Sequence, residues 1–128
     1  MPKVSSSGGM PSSLKAGWPP GWAAIRESRW EYIVFGNGLG TGGHTKFAKH
    51  YPLPIVNGRA KTYFPWSADR VADAIKQVAL HPDETPIMQG PLARLHYGTV
   101  ARVRVLVIVT RPTAKSPWEV WNAYPKAR

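Results

Sequence analysis

Alternation of valine with other residues over residues 99–110 constrains the fold of this chain more than any other feature of its sequence. Successive side chains of a strand point to opposite faces of a sheet, so four valines at alternate positions would share one face. Because β-branched residues favour strands, we predict one long strand over residues 99–110 at the centre of a sheet, with Arg102 and Arg104 together on its other face. The four valines are Val103, Val105, Val107 and Val109.

Helix and strand patterns around this stretch predict the fold class. Apolar residues recur at helical spacing after Ser67, a residue type that caps helices, so we predict a helix over residues 67–80. Pro82 follows and cannot continue it. Helices followed by antiparallel strands define the α+β class, and we therefore predict N-terminal helices followed by an antiparallel, twisted β-sheet. The other predicted elements are a short helix over residues 21–29 and strands over residues 30–35, 92–98 and 118–124.

The first twenty residues differ in composition from the rest of the chain. Residues 1–20 are rich in Ser, Gly and Pro, which is typical of linkers, so we predict a flexible leader there. Residues 21–128 are long enough for one core and are expected to form a single, monomeric domain. The longest continuous apolar run, residues 105–109, is too short for a membrane helix, so no membrane partner is expected.

The net charge of the chain limits the kinds of partner that it is expected to bind. Seventeen Lys and Arg against seven Asp and Glu give a net charge of +10, and the excess is spread along the whole chain. Polyphosphates are the commonest targets of such a field, because each neutralised phosphate releases condensed counterions. An acidic protein or an anionic membrane could use the same field, and a soluble basic domain without a specific ligand would carry the same charge.

A glycine-rich segment precedes His44. Five glycines lie among residues 36–43, and glycine lets backbone amides approach an anion closely. The spacing of Gly38, Gly40 and Gly43 approaches both the P-loop and the dinucleotide-binding fingerprint. However, a histidine stands where the P-loop has its lysine, and no acidic residue follows at the distance needed for a ribose. We therefore predict a glycine-rich loop that delivers His44 to an open cleft, the alternative being a plain loop without a function.

The four histidines do not predict a metal site. The spacing of His44 with His50, and of His81 with His96, fits no standard metal motif, so no metal or cofactor is expected. What remains is proton transfer on a phosphate diester, which needs a base, an acid and a cation on the phosphate. This chemistry uses the 2′-hydroxyl of RNA as nucleophile, so the predicted substrate is RNA.

Four short motifs follow one another in a characteristic order. They are Gly42-Gly43-His44, residues 61–67 (Lys-Thr-Tyr-Phe-Pro-Trp-Ser), Gly98-Thr99-Val100 and residues 118–125 (Trp-Glu-Val-Trp-Asn-Ala-Tyr-Pro). This order resembles the bacterial EndoU endoribonuclease domain over residues 30–125. The resemblance implies the fold shared by barnase, EndoU, colicin and RelE nucleases (the BECR fold), and a metal-independent enzyme that cleaves RNA to a 2′,3′-cyclic phosphate. Residues 42–50 also resemble the RNase A-like toxin domain, which is a relative in chemistry.

The resemblance also implies a biological role. Domains of this kind are C-terminal effector modules of polymorphic toxins, which are secreted or delivered from a producer cell and act in the cytoplasm of a target cell. Together with the net charge of +10, this role predicts an acidic immunity protein as partner. The alternative from another class is a non-catalytic, basic RNA-binding module, such as a ribosome-associated one.

Roles of individual residues follow from the resemblance. His44 matches the catalytic histidine of the family. Tyr124 matches the tyrosine of the closing Thr-x-Tyr-Pro motif, in which Asn122 replaces the threonine. Asn122 and Tyr124 would share a strand face, because they are two positions apart. Trp118 and Trp121 would point to opposite faces, so one is expected in the core and the other could stack on a base.

A second catalytic histidine of the family, expected shortly before the glycine-rich turn, is missing, since Tyr32 and Ile33 stand there. The complement of His44 is therefore expected to be His50 or a lysine. The catalytic lysine is expected to be Lys49 or Lys61. The residues predicted to bind RNA are Lys46, Arg59, Thr62, Arg102, Arg104 and Trp121.

Overall fold

Helices and a four-stranded antiparallel sheet pack against each other in the computed structural model, which describes residues 10–37 and 41–126. The α+β class predicted from the sequence is confirmed. No helix within these two ranges is long and apolar enough to span a membrane. The helices are α1 (Ser12–Lys15), α2 (Glu27–Val34) and α3 (Ala68–Leu80). The strands are β1 (Ile55–Val56), β2 (Arg59–Ala60), β3 (Ile87–Met88), β4 (Ala93–Val100), β5 (Val103–Thr110) and β6 (Glu119–Pro125).

The large sheet has the order β3-β4-β5-β6, and β1 and β2 form a separate hairpin. The strands predicted over residues 92–98 and 118–124 are confirmed as β4 and β6, with slightly different ends. The single strand predicted over residues 99–110 is wrong, because the chain reverses at Ala101 and Arg102 and β4 pairs with β5 across this turn. Both turn residues have positive φ, of 47° and 70°. Such turns usually carry Gly or Asn, so the sequence lacks the signal that predicts a hairpin.

The core lies between α3 and the sheet face that carries the alternating valines. Helix α3 begins after Ser67, whose Oγ accepts a hydrogen bond from the N–H of Arg70 at 3.4 Å, so the predicted helix is confirmed. A Cβ at Gly98 would lie 2.9 Å from a methyl group of Val78. The missing side chain therefore lets α3 lie close to β4. The fully buried valines of the sheet are Val105, Val107 and Val109.

Helix α2 stands where the sequence predicted a strand over residues 30–35, so that prediction is wrong. Three apolar residues lie at helical spacing and form one buried face against β6. Their aromatic and β-branched side chains favour strands, but burial of this face outweighs that local preference. The short helix predicted over residues 21–29 is also wrong, because α2 begins only at Glu27. The three buried residues are Trp30, Ile33 and Val34.

An ordered N-terminal segment, residues 10–18, packs on α3. Leu14 is fully buried in the core, and Nζ of Lys76 donates to two carbonyl oxygens of this segment at 2.7 Å each. Apolar burial and these two bonds thus attach this part of the predicted leader, residues 1–20, to α3. Residues 1–9 lie outside the described residues.

Candidate active site

A cleft of about 660 Å³ opens beside the C-terminal end of β6. Three segments form its walls: the turn that leads into His44, the β1–β2 hairpin with the residues after it, and the end of β6. Arg59, Lys61 and Lys126 contribute cationic side chains, and none of the described residues that line the cleft is Asp or Glu. The cleft is therefore a region of positive potential that suits an anion.

The β1–β2 hairpin forms one wall because of its turn residues. Asn57 and Gly58 both have positive φ, of 53° and 77°, as a two-residue hairpin turn requires. The pairing of β1 with β2 places Arg59 at the cleft, and the N–H of Lys61 donates to the carbonyl of Pro54 at 2.8 Å. Burial lowers the pKa of Lys61 below that of an exposed lysine. An Asn-Gly pair is a strong hairpin signal, so the sequence contained the information for this wall.

His44 lies where three segments meet. Its N–H donates to the carbonyl of Ile33 in α2 at 2.6 Å, and its own carbonyl accepts from the N–H of Phe64 at 2.7 Å. Only 8% of the residue is exposed. The sequence predicted a histidine on a glycine-rich loop at an open cleft. In the structure His44 is buried in the wall of the cleft, and both its N–H and its carbonyl are hydrogen-bonded.

Close packing explains the two glycines that precede this histidine. Gly42 and Gly43 both have a φ of 68°, a region that favours glycine. A Cβ at Gly42 would lie 2.8 Å from ring atoms of Tyr32, and one at Gly43 would lie 2.9 Å from Cε1 of His50. The turn is therefore held between two rings, and larger residues would push it away from the cleft.

The side chain of His44 is set up as a proton acceptor. Its Nδ1 lies 3.0 Å from the carbonyl oxygen of Thr62, and a carbonyl only accepts, so Nδ1 carries the proton. Burial, against the opposing bond to Thr62 and with smaller contributions from Lys61 and His50, lowers the pKa of His44 to about 4. The ring is therefore neutral at pH 7, with the lone pair on Nε2.

Tyr124 and Thr62 hold this ring in place. The rings of Tyr124 and His44 stack with their centroids 4.9 Å apart. Thr62 accepts from His44 through its carbonyl and donates through its hydroxyl to the carbonyl of Pro125, so it joins the histidine to the end of β6. Burial, and then the neighbouring Tyr97, raise the pKa of Tyr124, which stays a neutral phenol.

Several residues that the sequence predicted for the site come together at the cleft. Lys126 and Thr41 also line it and were missed, because neither belongs to a motif and only the tertiary fold brings them there. The predicted residues that line the cleft are His44, Arg59, Lys61, Thr62 and Tyr124.

Seven residues predicted for the site do not line the cleft, and four of them are His50, Lys46, Lys49 and Asn122. His50 packs behind the turn, where its Nε2 is 3.1 Å from the carbonyl of Gly43, so it supports the turn and does not face the substrate space. Lys46 and Lys49 are exposed on the segment that follows. Asn122 lies on the same strand face as the cleft tyrosine, but its Oδ1 accepts from the backbone N–H of the next residue at 2.9 Å.

The remaining predicted RNA contacts are dispersed. Arg102 lies in the turn between β4 and β5, so the prediction that it shares a strand face with Arg104 is wrong. Arg104 pairs with Glu84 at 2.8 Å. Trp121 is 43% exposed on β6, with the guanidinium of Arg29 stacked on its ring at 3.8 Å.

Within residues 10–37 and 41–126, no three His, Asp or Glu side chains lie close enough together to hold a metal ion. Gly38 and Gly40, which were compared with nucleotide-binding loops, lie outside the described residues.

Comparison of the chain with protein-family models, with curated proteins and with solved structures found no match. The function is therefore inferred from the cleft and from the sequence.

Proposed function

We propose that the protein is a metal-independent endoribonuclease and that the cleft is its active site. The observation that carries this proposal is a neutral imidazole set among cations, since His44 lines the same cleft as Arg59, Lys61 and Lys126. A base and several cations suit an anionic substrate that must lose a proton before it reacts. An RNA phosphodiester with its neighbouring 2′-hydroxyl is such a substrate, whereas DNA lacks the hydroxyl.

In the proposed reaction, His44 is the general base and Lys61 the general acid. Nε2 of His44 takes the proton of the 2′-hydroxyl, because Nδ1 already donates to Thr62. The 2′-oxygen attacks phosphorus, the bond from phosphorus to the 5′-oxygen breaks, and a 2′,3′-cyclic phosphate remains on the upstream fragment. Lys61 protonates the departing 5′-oxygen, which its lowered pKa favours. Exchange with water returns both groups to their starting states.

The other cleft residues support this transfer electrostatically. Arg59 and Lys126 balance the negative charge that grows on the phosphate oxygens. A bound phosphate also favours the imidazolium form, so the pKa of His44 rises when the substrate enters. The histidine is thus a stronger base in the complex than in the free protein.

Purified protein incubated with RNA in EDTA tests this proposal. We expect cleavage that leaves 2′,3′-cyclic phosphate ends, no cleavage of the same sequence as DNA, and loss of activity in His44→Gln. His81→Gln is the matched control, because His81 is an exposed histidine at the end of α3. Cleavage of DNA, activity that requires added Mg²⁺, or full activity in His44→Gln would contradict the proposal.

We also propose that this cleavage makes the protein a toxin, delivered from a producer cell and acting in the cytoplasm of a target cell. The support is the motif order, which resembles that of the EndoU toxin domain and includes two cleft residues, His44 and Tyr124. Expression in a bacterial cytoplasm should stop growth and degrade cellular RNA, and His44→Gln should do neither. Normal growth with active protein present would contradict the toxic role.

An acidic immunity protein is the partner proposed for this toxin. The net charge of +10 and the cationic cleft would speed its association through long-range attraction. The association rate should fall as salt rises from about 50 to about 500 mM, while the dissociation rate changes much less, because screening acts over a Debye length of about 10 Å at 0.1 M. A salt-independent association rate would place the contact surface away from the cleft.

A non-catalytic RNA-binding module is the second candidate. It is favoured by the low pKa of His44, about 4, which makes the free imidazole a weak base. The same incubation separates the two functions, because a binding module would shift RNA in a gel and leave it intact.

A further inference from the structure

Trp121 is an aromatic side chain that the fold leaves exposed. In the pairing of β5 with β6, Ile108 is opposite Asn122 and Val109 is opposite Val120, so Trp121 is the extra residue of a β-bulge. A bulge turns a side chain away from the regular alternation of a strand. Trp121 is accordingly 43% exposed, although it follows two buried residues.

Arg29 of α2 covers one face of this indole. Its guanidinium carbon lies 3.8 Å from the ring centre of Trp121 and 4.5 Å from that of Tyr32, and its Nε donates to the carbonyl of Trp121 at 2.8 Å. No carboxylate of the described residues pairs with Arg29, and no second described ring or cation stacks on Trp121. The indole is thus partly exposed beside a positive charge.

Tyr32 connects this stack to the active site. Its ring packs against Gly42, which lines the cleft, and its carbonyl accepts the N–H of Gly43 at 2.8 Å. Along β6, Trp121 is three residues before Tyr124, a distance of about 10 Å in a strand. The stack therefore lies beside the cleft.

We propose that Trp121 and Arg29 form a subsite on which single-stranded RNA stacks one nucleobase, one position beyond the nucleotides that flank the cleaved bond. This inference rests on the proposed ribonuclease function. In this proposal the base lies on the face of Trp121 opposite Arg29, and the terminal N–H groups of Arg29 bind the adjacent phosphate. Stacking accepts any base, so the subsite adds affinity and direction to the RNA strand without fixing its sequence.

Binding of a non-cleavable RNA tests the subsite separately from catalysis. We would use 2′-O-methyl pentanucleotides, which lack the nucleophile, with the fluorescent base 2-aminopurine at each position in turn. One position should be quenched by the indole, and affinity should fall roughly tenfold in Trp121→Ala. Trp121→Leu keeps an apolar side chain of some size but has no flat ring, and it should bind as weakly as Trp121→Ala. Agreement between the two variants shows that loss of the ring, and not misfolding of Trp121→Ala, causes the weaker binding.

Variants of the cation give a second readout. Arg29→Lys keeps the charge but loses the planar guanidinium, and should weaken binding less than Arg29→Ala does. Arg70→Ala is the matched control, because Arg70 also lies over an indole, that of Trp66 at 5.4 Å, outside the cleft. It should leave binding unchanged.

Length dependence of cleavage completes the test. In the wild type, kcat/KM should rise about tenfold from a dinucleotide to a tetranucleotide, and this gain should disappear in Trp121→Leu. Position-specific quenching without any RNA cleavage would reject the ribonuclease function and keep the stacking subsite. If the protein cleaves RNA but Trp121→Leu changes neither the quenching nor the length dependence, the ribonuclease function is kept and the subsite is overturned. A variant that weakens only binding of an acidic inhibitor would also overturn it, since the surface would then be a protein interface.

Discussion

The imidazole of His44 stacks on the phenol ring of Tyr124, with the ring centroids 4.9 Å apart and the planes inclined by 29°. The two residues are far apart in sequence, and Thr62 bonds to both segments, through its carbonyl to His44 and through its hydroxyl to the carbonyl of Pro125. The direction of the histidine ring is therefore set by two contacts, one with its plane and one with its edge.

Replacement of Tyr124 tests the contact with the ring plane. Tyr124→Phe keeps the stacked ring and should retain kcat/KM within about threefold, whereas Tyr124→Leu should lose about 100-fold, because a misplaced base is costly. The acid limb of the pH profile should also move in the leucine variant, which a purely structural defect would not cause. A large loss in Tyr124→Phe would show that the hydroxyl takes part in the chemistry.

Replacement of Thr62 tests the bond that anchors this residue, because the carbonyl that contacts the ring edge of His44 stays and only the hydroxyl bond to Pro125 changes. Thr62→Val removes the hydroxyl and leaves the carbonyl of Pro125 without that partner, so the free energy of unfolding should fall by about 1–3 kcal/mol. Thr62→Ser keeps the hydroxyl and should be nearly neutral. In Thr62→Val we expect kcat to fall more than KM rises, as measured by initial rates on a short RNA. Equal cleavage rates in Thr62→Val and Thr62→Ser would show that the hydroxyl of Thr62 does not help to position His44.

The pH dependence of cleavage reports the state of His44. Because the pKa of His44 in the free protein is about 4, kcat/KM should fall only below about pH 4 to 5, and not near 6.5. The limb in kcat should lie at higher pH, since a bound phosphate raises that pKa. Both limbs at about 6.5 would mean that another histidine is the base.

The same histidine links stability to pH. Burial lowers the pKa of His44 to about 4 and lowers the pKa of His96 as well, whereas an unfolded histidine titrates near 6.5. Between these values the unfolded chain binds more protons than the folded chain, so stability falls on acidification. Between about pH 7 and pH 4.5, we expect wild type to lose about 2 kcal/mol more than His44→Gln.

Urea unfolding at the two pH values measures this difference. Titration of the carboxylates is common to both proteins and cancels in the comparison. An equal loss in wild type and His44→Gln would show that His44 is not held neutral by the fold.

The sequence was most informative where one pattern continued over many residues. The helix over residues 67–80 and the buried valines after Val103 were predictable, because an apolar repeat that continues over many residues fits only one type of secondary structure. Residues 30–35 were misassigned, because a short run in which five of six residues are apolar or aromatic fits a strand or a buried helix equally well until the rest of the fold decides.

The candidate site was predictable in its centre and not at its edges. Gly42, Gly43 and His44 were found because a motif carries them. Lys126 was missed and His50 was misplaced, since neither motif nor spacing shows which side of a turn faces the cleft. That information comes from packing around the glycines and from the end of β6.

The buried Leu14 has a practical consequence for protein engineering. Because this side chain and the bonds from Lys76 attach the N-terminal segment to α3, a carrier or affinity tag should be joined upstream of Met10. A fusion joint at Gly21, at the end of the Ser-, Gly- and Pro-rich stretch, would remove the segment that contains Leu14. Apolar residues of α3 would then be exposed, and the protein should be prone to aggregation.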